Sequence, residues 1–282
     1  MGRYRPVHIV IVVATALLLM VSAGYAQRGF REGSGRFGGT PPRFRPADFR
    51  DRRFSFCKLM FTSVRSEPSG IGWSTDYPYA GINFMIRLSE LTKTDVSMDS
   101  EGEPNHWVVR LTDPALFECP FLMGTDVGTI GLSSDEALRL REYLLKGGFL
   151  WVDDFWGTAA WRQWEGEIEK VLPPAQYRTV DIPIGDPILK SLFEIAKVPQ
   201  VTNIRFWRST NGTITTERGA ETADVHFRGI TDAQGRMMVV MTHNTDIGDS
   251  WEREAEDPGF FYQFSPNGYA LGIDVLLYAM TH

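Results

Sequence analysis

Residues 54–282 alternate between short apolar runs and segments of helical periodicity, and this alternation constrains the fold more than any other feature. The runs 54–62 (FSFCKLMFT), 106–111 (HWVVRL), 120–125 (PFLMGT) and 149–152 (FLWV) have the length and aromatic or β-branched content of buried strands. Between them, Asp76 is placed to cap a helix with Pro78 in its first turn, aligning Ile82, Met85, Leu88 and Leu91. Ser133 or Ser134 starts another, with Asp135 and Glu136 where negative charge suits the helix dipole and Ala137, Leu140 and Leu144 facing inward. Gly147-Gly148 stops it. Trp161, Trp164, Ile168 and Val171 mark a third helix, residues 177–182 a further strand, and 269–280 a closing helix apolar nearly all round. Asp232-Ala233-Gln234-Gly235 reads as a hairpin turn between strands 226–230 and 237–242. Such an order predicts an α/β fold: a mostly parallel sheet covered on both faces, with an antiparallel hairpin at one edge. Ligands of such sheets gather at the carboxyl ends of the strands.

The formal charge of -6 conceals three unlike segments. Arg3 and Arg5 precede an uncharged apolar run, 9–23, and then Gly24-Tyr25-Ala26, the layout of a signal peptide over residues 1–26 cleaved after Ala26. The run is short of the ~20 residues a membrane span needs, so contact with a membrane is expected only through this signal, if it is retained. Residues 27–53 hold eight arginines against three acids, a net of +5, with five glycines and three prolines, and read as a disordered linker. The remaining 229 residues carry 19 basic and 32 acidic side chains, a net of -13, which repels nucleic acid. The expected location is outside the cytoplasm, periplasmic or extracellular.

The stretches FCKLMFTSVR, GWSTDYPYAGINFMIRLSELT, YLLKGGFLWVDDFWG and MMVVMTHNTDIGDSWERE resemble a bacterial family known as domain of unknown function 4159, over roughly residues 54–282. The resemblance implies a flavodoxin-like three-layer sandwich of the class I glutamine-amidotransferase-like type, and no activity. Those amidotransferases place a cysteine nucleophile on a sharp turn after a strand. Here Asp153 and Asp154 stand at that turn, and Cys57 and Cys119 lie within or at the start of strands, so a cysteine-based glutaminase is not expected. In a flavodoxin-like strand order the two cysteines sit on neighbouring strands, either as a disulfide or as two separate buried thiols.

The predicted strand ends collect the candidate site. Asp153 and Asp154 suit an acid/base pair or oxygen ligands for a cation, with Asp154 the expected cap of the following helix. His243 would complete a proton-transfer pair with one of them, beside Asn244 and Asp246. The loop 69–76 brings Trp73 and Asp76 to the same rim but lacks a Walker A or complete G-x-G-x-x-G sequence, so no nucleotide cofactor is assigned and the metal is unknown. Trp73, Trp156 and Trp251 on rim loops would suit a carbohydrate or other envelope ligand. Two functions follow: an exported binding domain, or a carboxylate/His-dependent hydrolase or lyase acting on a carbohydrate, metal-assisted or not. They differ in whether His243 and Asp153 or Asp154 share one pocket.

Overall fold

Strand-forming runs and capped helices assemble around a seven-stranded sheet in the computed structural model, which describes residues 40–282. The signal peptide and residues 27–39 of the linker lie outside the described residues. The strands are β1 (Phe56–Met60), β3 (His106–Arg110), β4 (Phe121–Thr125), β6 (Phe149–Phe155), β7 (Thr179–Asp181), β8 (His226–Thr231) and β9 (Met237–His243). A separate two-stranded ribbon pairs β2 (Thr62–Ser63) with β5 (Ile130–Gly131). The sheet order is β3-β1-β4-β6-β9-β8-β7. The first five strands run parallel, and the β8–β9 hairpin with β7 forms the antiparallel edge. Numbered among themselves, the parallel strands stand second, first, third, fourth, fifth, so the winding reverses between β1 and β4.

Alternation along each strand divides the core. Phe56, Phe121, Phe149, Trp151 and Val240 face one layer with α1 (Tyr79–Leu91), α5 (Ile247–Glu252) and α6 (Pro258–Thr281). Leu59, Leu122, Leu150, Val152 and Met241 face the other, with α2 (Ser134–Leu145) and α3 (Gly157–Val171). The result is a three-layer α/β sandwich. A short helix, α4 (Ile204–Ser209), lies in the connection before β8.

Helix starts follow local chemistry, with three departures from expectation. Ser133 caps α2 in a capping box with Glu136, as its sequence signals. Asp76 does not cap α1: its backbone is left-handed (φ 65°), which turns the carboxylate away from the first-turn N–H groups, and Pro78 occupies the cap. Asp154 does not cap α3 either. β6 runs on to Phe155, Trp156 is the cap residue, and the Gly157 N–H is satisfied from outside by Asn244 Oδ1 at 2.8 Å. α6 starts eleven residues before position 269, where Asp257 accepts from the Gly259 and Phe260 N–H groups and Pro258 opens the helix.

Cys57 and Cys119 form a disulfide, Cα atoms 6.0 Å apart, joining β1 to the residue that leads into β4. Residues 42–53, assigned to the linker on composition, lie along the outer edge of β3. Val108 N–H donates to the Arg43 carbonyl (2.8 Å), Phe49 packs edge-on against Trp107 at 4.8 Å, and the Arg43 guanidinium covers the same ring at 5.0 Å. The aromatic residues within the arginine-rich stretch thus cover a strand edge that would otherwise stand open.

Candidate functional site

The carboxyl ends of four adjacent parallel strands carry a polar row on the face of α1 and α5. Lys58 of β1, Thr125 of β4, Asp153 of β6 and Thr242 of β9 interrupt otherwise apolar strands, and all four are buried. Lys58 Nζ donates to the Thr75 carbonyl (2.7 Å) and to Thr125 Oγ1 (2.5 Å), and Thr125 donates onward to Thr75 O (2.8 Å). Asp153 accepts from Thr242 Oγ1 (2.5 Å) and from the Gly248 N–H (2.9 Å). A buried charge is retained only where such partners offset its desolvation. The row lies at the β1/β4 reversal, the crevice where open parallel sheets place their ligands.

Loops leaving the same strand ends add carboxylates. Asp126 follows β4 and accepts from the Gly72 N–H at 2.7 Å. Asp154, the last residue but one of β6, is partly exposed and accepts from the Trp156 indole at 2.9 Å. After β9, Asp246 caps α5 by accepting from Asp249 N–H (2.8 Å), while Asp249 accepts from Ile204 N–H (3.2 Å) and lies 3.4 Å from Arg253. Asp76 descends from the β1 loop, and its Oδ2 is buried without a hydrogen-bond partner. One oxygen each from Asp76, Asp246 and Asp249 lies within 4.8 Å of the others. Gly248 makes this approach possible: a Cβ there would stand 2.5 Å from Asp76 Oδ2 and 3.4 Å from Asp246 Oδ1. A cavity of about 10 Å³, the size of one water, is lined by Lys58, Asp76, Thr125, His106 and Trp107 among others.

Backbone strain is concentrated here. Asp76, Asp126, Asp154 and Asn244 all hold left-handed φ angles between 52° and 65°. Such conformations are costly for residues with a Cβ and cluster at functional sites.

Burial dominates the electrostatics. It raises the Asp153 and Asp249 carboxyls to about 7 and Asp126 to about 6, and pushes Asp76, Asp154 and Asp246 upward, the aspartates adding to one another's shifts. Lys58 is lowered by the same burial, with the facing aspartates opposing the shift. The positive groups acting on Asp76 are Lys58 and Arg253, and Arg218 acts on Asp126. The centre therefore gathers carboxyl groups in surroundings that penalise their charge.

The residues expected at the rim fare differently. Asp76, Asp153, Asp154 and Asp246 converge at the centre. His243 does not: it follows Thr242 on β9 and so points to the opposite face. There its ring stacks on Phe155 (4.9 Å) and His226 (5.4 Å), with Trp161 at 5.4 Å, and Nε2 donates to the Gly157 carbonyl (3.1 Å). No proton-transfer pair with Asp153 forms. Burial lowers its pKa to about 4. Trp251 is a core residue rather than a ligand platform, fully buried against Phe84, Trp151 and Tyr269, because α5 turns its apolar side onto the sheet. Trp156 is buried too, bonded to Asp154. Asn244 spends its amide on Gly157 N–H and the Asp224 carbonyl. Trp73 alone of the three tryptophans is partly exposed, its ring tilted at 53° to Tyr77 with centroids 5.6 Å apart.

Lys58, Thr125, Asp126, Thr242 and Asp249 were not among the expected site residues. A lone lysine in FCKLM, sharing parity with Phe56 rather than with the other face, was the available signal for Lys58. For Asp249 it was the spacing of three from the cap residue Asp246.

A family model described as domain of unknown function (DUF4159) matches residues 60–280. No curated protein matches the chain.

Proposed function

Since this chain belongs to the DUF4159 family, whose description carries no activity, we propose its function from the site itself: it is an exported binding domain that receives a positively charged group of a cell-envelope ligand in the acidic crevice at the carboxyl end of its sheet. The observation that carries this reading is the coincidence of buried carboxylates and strained backbone at the β1/β4 reversal. Three of the four left-handed residues there are aspartates of the crevice. A fold gains nothing in stability from burying like charges on strained backbone, so the arrangement is explained by a ligand that neutralises it.

The order of the parallel strands supports placing the fold with the flavodoxin-like, class I glutamine-amidotransferase-like sandwiches. The disulfide removes both thiols from nucleophilic chemistry and supports an oxidising compartment, in line with the signal-like N-terminus. Binding is favoured over carboxylate/His hydrolysis because His243 lies on the far side of the sheet from Asp153.

Thermal unfolding of the chain at pH 7 tests the reading against calcium, magnesium, spermidine and glucosamine, with glucose as the neutral control. A ligand that binds only the folded state raises Tm by mass action. At least one cationic compound should raise Tm where glucose does not, and Asp154→Asn, which the left-handed backbone tolerates, should shrink that rise. No response to any cationic compound would overturn the proposal.

A further inference from the structure

Three carboxylates in the crevice are arranged differently from the rest. Asp126, Asp153 and Asp154 each have a hydrogen-bond donor at 2.7–2.9 Å, whereas Asp76 Oδ2 is buried, has no partner, and lies beside Gly248 facing Asp246. Asp246 Oδ1 accepts from Asp249 N–H, Asp249 Oδ2 accepts from Ile204 N–H and its Oδ1 from Arg253 Nε at 3.4 Å, and all three carboxylates bring an oxygen within a common 4.8 Å span. Two oxygens on one ion can be no further apart than twice the metal–oxygen distance, roughly 4–5 Å for hard divalent cations. The donor set contains only oxygen, with no thiolate or imidazole, which suits calcium, magnesium or manganese rather than zinc or copper.

We infer that Asp76, Asp246 and Asp249 form a binding site for one hard divalent cation, which is the positive group the crevice receives. The inference rests on the cationic-crevice reading and narrows it. Asp76 supplies the oxygen that nothing else satisfies. Asp246 and Asp249 come from one turn at the start of α5, where the cap bond from Asp249 N–H to Asp246 Oδ1 sets both in place. Gly248, between them, keeps the space clear. Lys58 stands on the sheet side, its ammonium held by Thr75 and Thr125, and balances part of the charge without occupying the ion's position.

The test is a titration of the chelator-treated chain with calcium, magnesium and manganese by calorimetry, and with terbium by tryptophan-sensitised luminescence, since Trp251 lies two residues from Asp249. One ion per chain is expected, with a luminescence signal that calcium competes away. Asp246→Asn and Gly248→Ala should each weaken binding at least tenfold, the second by driving a methyl group against Asp76. Metal-free Tm and near-ultraviolet circular dichroism establish that each variant folds, and Asp249→Asn serves if either does not. Absence of a one-to-one ion, or unchanged affinity in the folded variants, overturns the inference. If spermidine or glucosamine binds in an Asp246-dependent manner while no metal does, the metal site falls and the cationic crevice stands. If neither class binds, both fall.

Discussion

Asp126 illustrates how a single residue in this crevice trades stability for chemistry. The residue is 2 % exposed, its backbone is left-handed, and burial raises its carboxyl pKa to about 6 from an ordinary 3.8. Because the folded state holds the proton more tightly, the contribution to stability is fully present below pH 3.8 and is lost as pH rises through 6. At pH 7 the ionised group therefore costs ~2–3 kcal/mol. Asp126→Asn keeps an acceptor for Gly72 N–H and tolerates the same φ, so it should stabilise the chain at pH 7 by about that amount, the gain vanishing near pH 4 in urea unfolding curves. His243 runs the other way. With a folded pKa lowered from 6.5 to about 4, it contributes stability above 6.5 that is lost as pH falls toward 4. His243→Gln should blunt that acid sensitivity while leaving terbium binding unchanged, and lost binding would put the imidazole back in the site. The sequence made Asp76, Asp153, Asp154 and Asp246 visible because each stands at the end of a predicted strand or in the loop that leaves it. It could not separate His243 from them, since adjacent strand residues point to opposite faces only while a strand stays regular, and the irregularity of β6 between Val152 and Phe155, at left-handed Asp154, leaves no mark in the residue pattern.

At the scale of elements, α5 carries the most consequence for its six residues. It presents Asp249 and the Gly248 N–H to the crevice and anchors itself through Trp251, wedged among Phe84, Trp151 and Tyr269. Trp251→Ala should cost ~3–5 kcal/mol, as large-to-small changes in a packed core do. It should also weaken ion binding, read by calorimetry on folded protein, although its side chain is not one of the ion's ligands. Trp251→Phe should recover most of both, and failure of that rescue would argue against an anchoring role. Helix starts with a serine or Asp-Pro signal were readable from local chemistry, as α2 and α6 show. Asp76 and Asp154 were not, because their left-handed backbone redirects them from helix capping toward the crevice. That redirection depends on the strands beneath.

The molecule as a whole joins a basic N-terminal stretch to an acidic folded domain. Residues 54–282 carry a net of -13 and the arginine-rich stretch 27–53 a net of +5. The later part of that stretch covers the β3 edge, which composition alone hid: arginines stacked on Trp107 and Phe49 serve packing as well as charge. Residues 42–282 form one compact unit, and no helix among the described residues is long and apolar enough to cross a membrane. The alternation of strands and helices and the hairpin edge were legible because strand and helix periodicities differ, whereas the strand order came only from the family resemblance. The position of the tryptophans was not, because rim and core placements share the same residue type.

The Cys57–Cys119 bridge encloses 61 intervening residues that include α1, β3 and Asp76. Opening that ring is expected to cost ~4 kcal/mol through freed chain entropy, measurable as the drop in stability of a Cys57→Ser, Cys119→Ser variant. The ring also has a bearing on resistance to proteolysis. A single cut in an exposed turn such as Asp99–Gly102 would leave two polypeptides still joined as one molecule, with both flanks of the crevice retained. On a gel the nicked protein should run intact without reductant and separate into two bands with it, so damage that would disperse an unbridged fold is here converted into a silent scar.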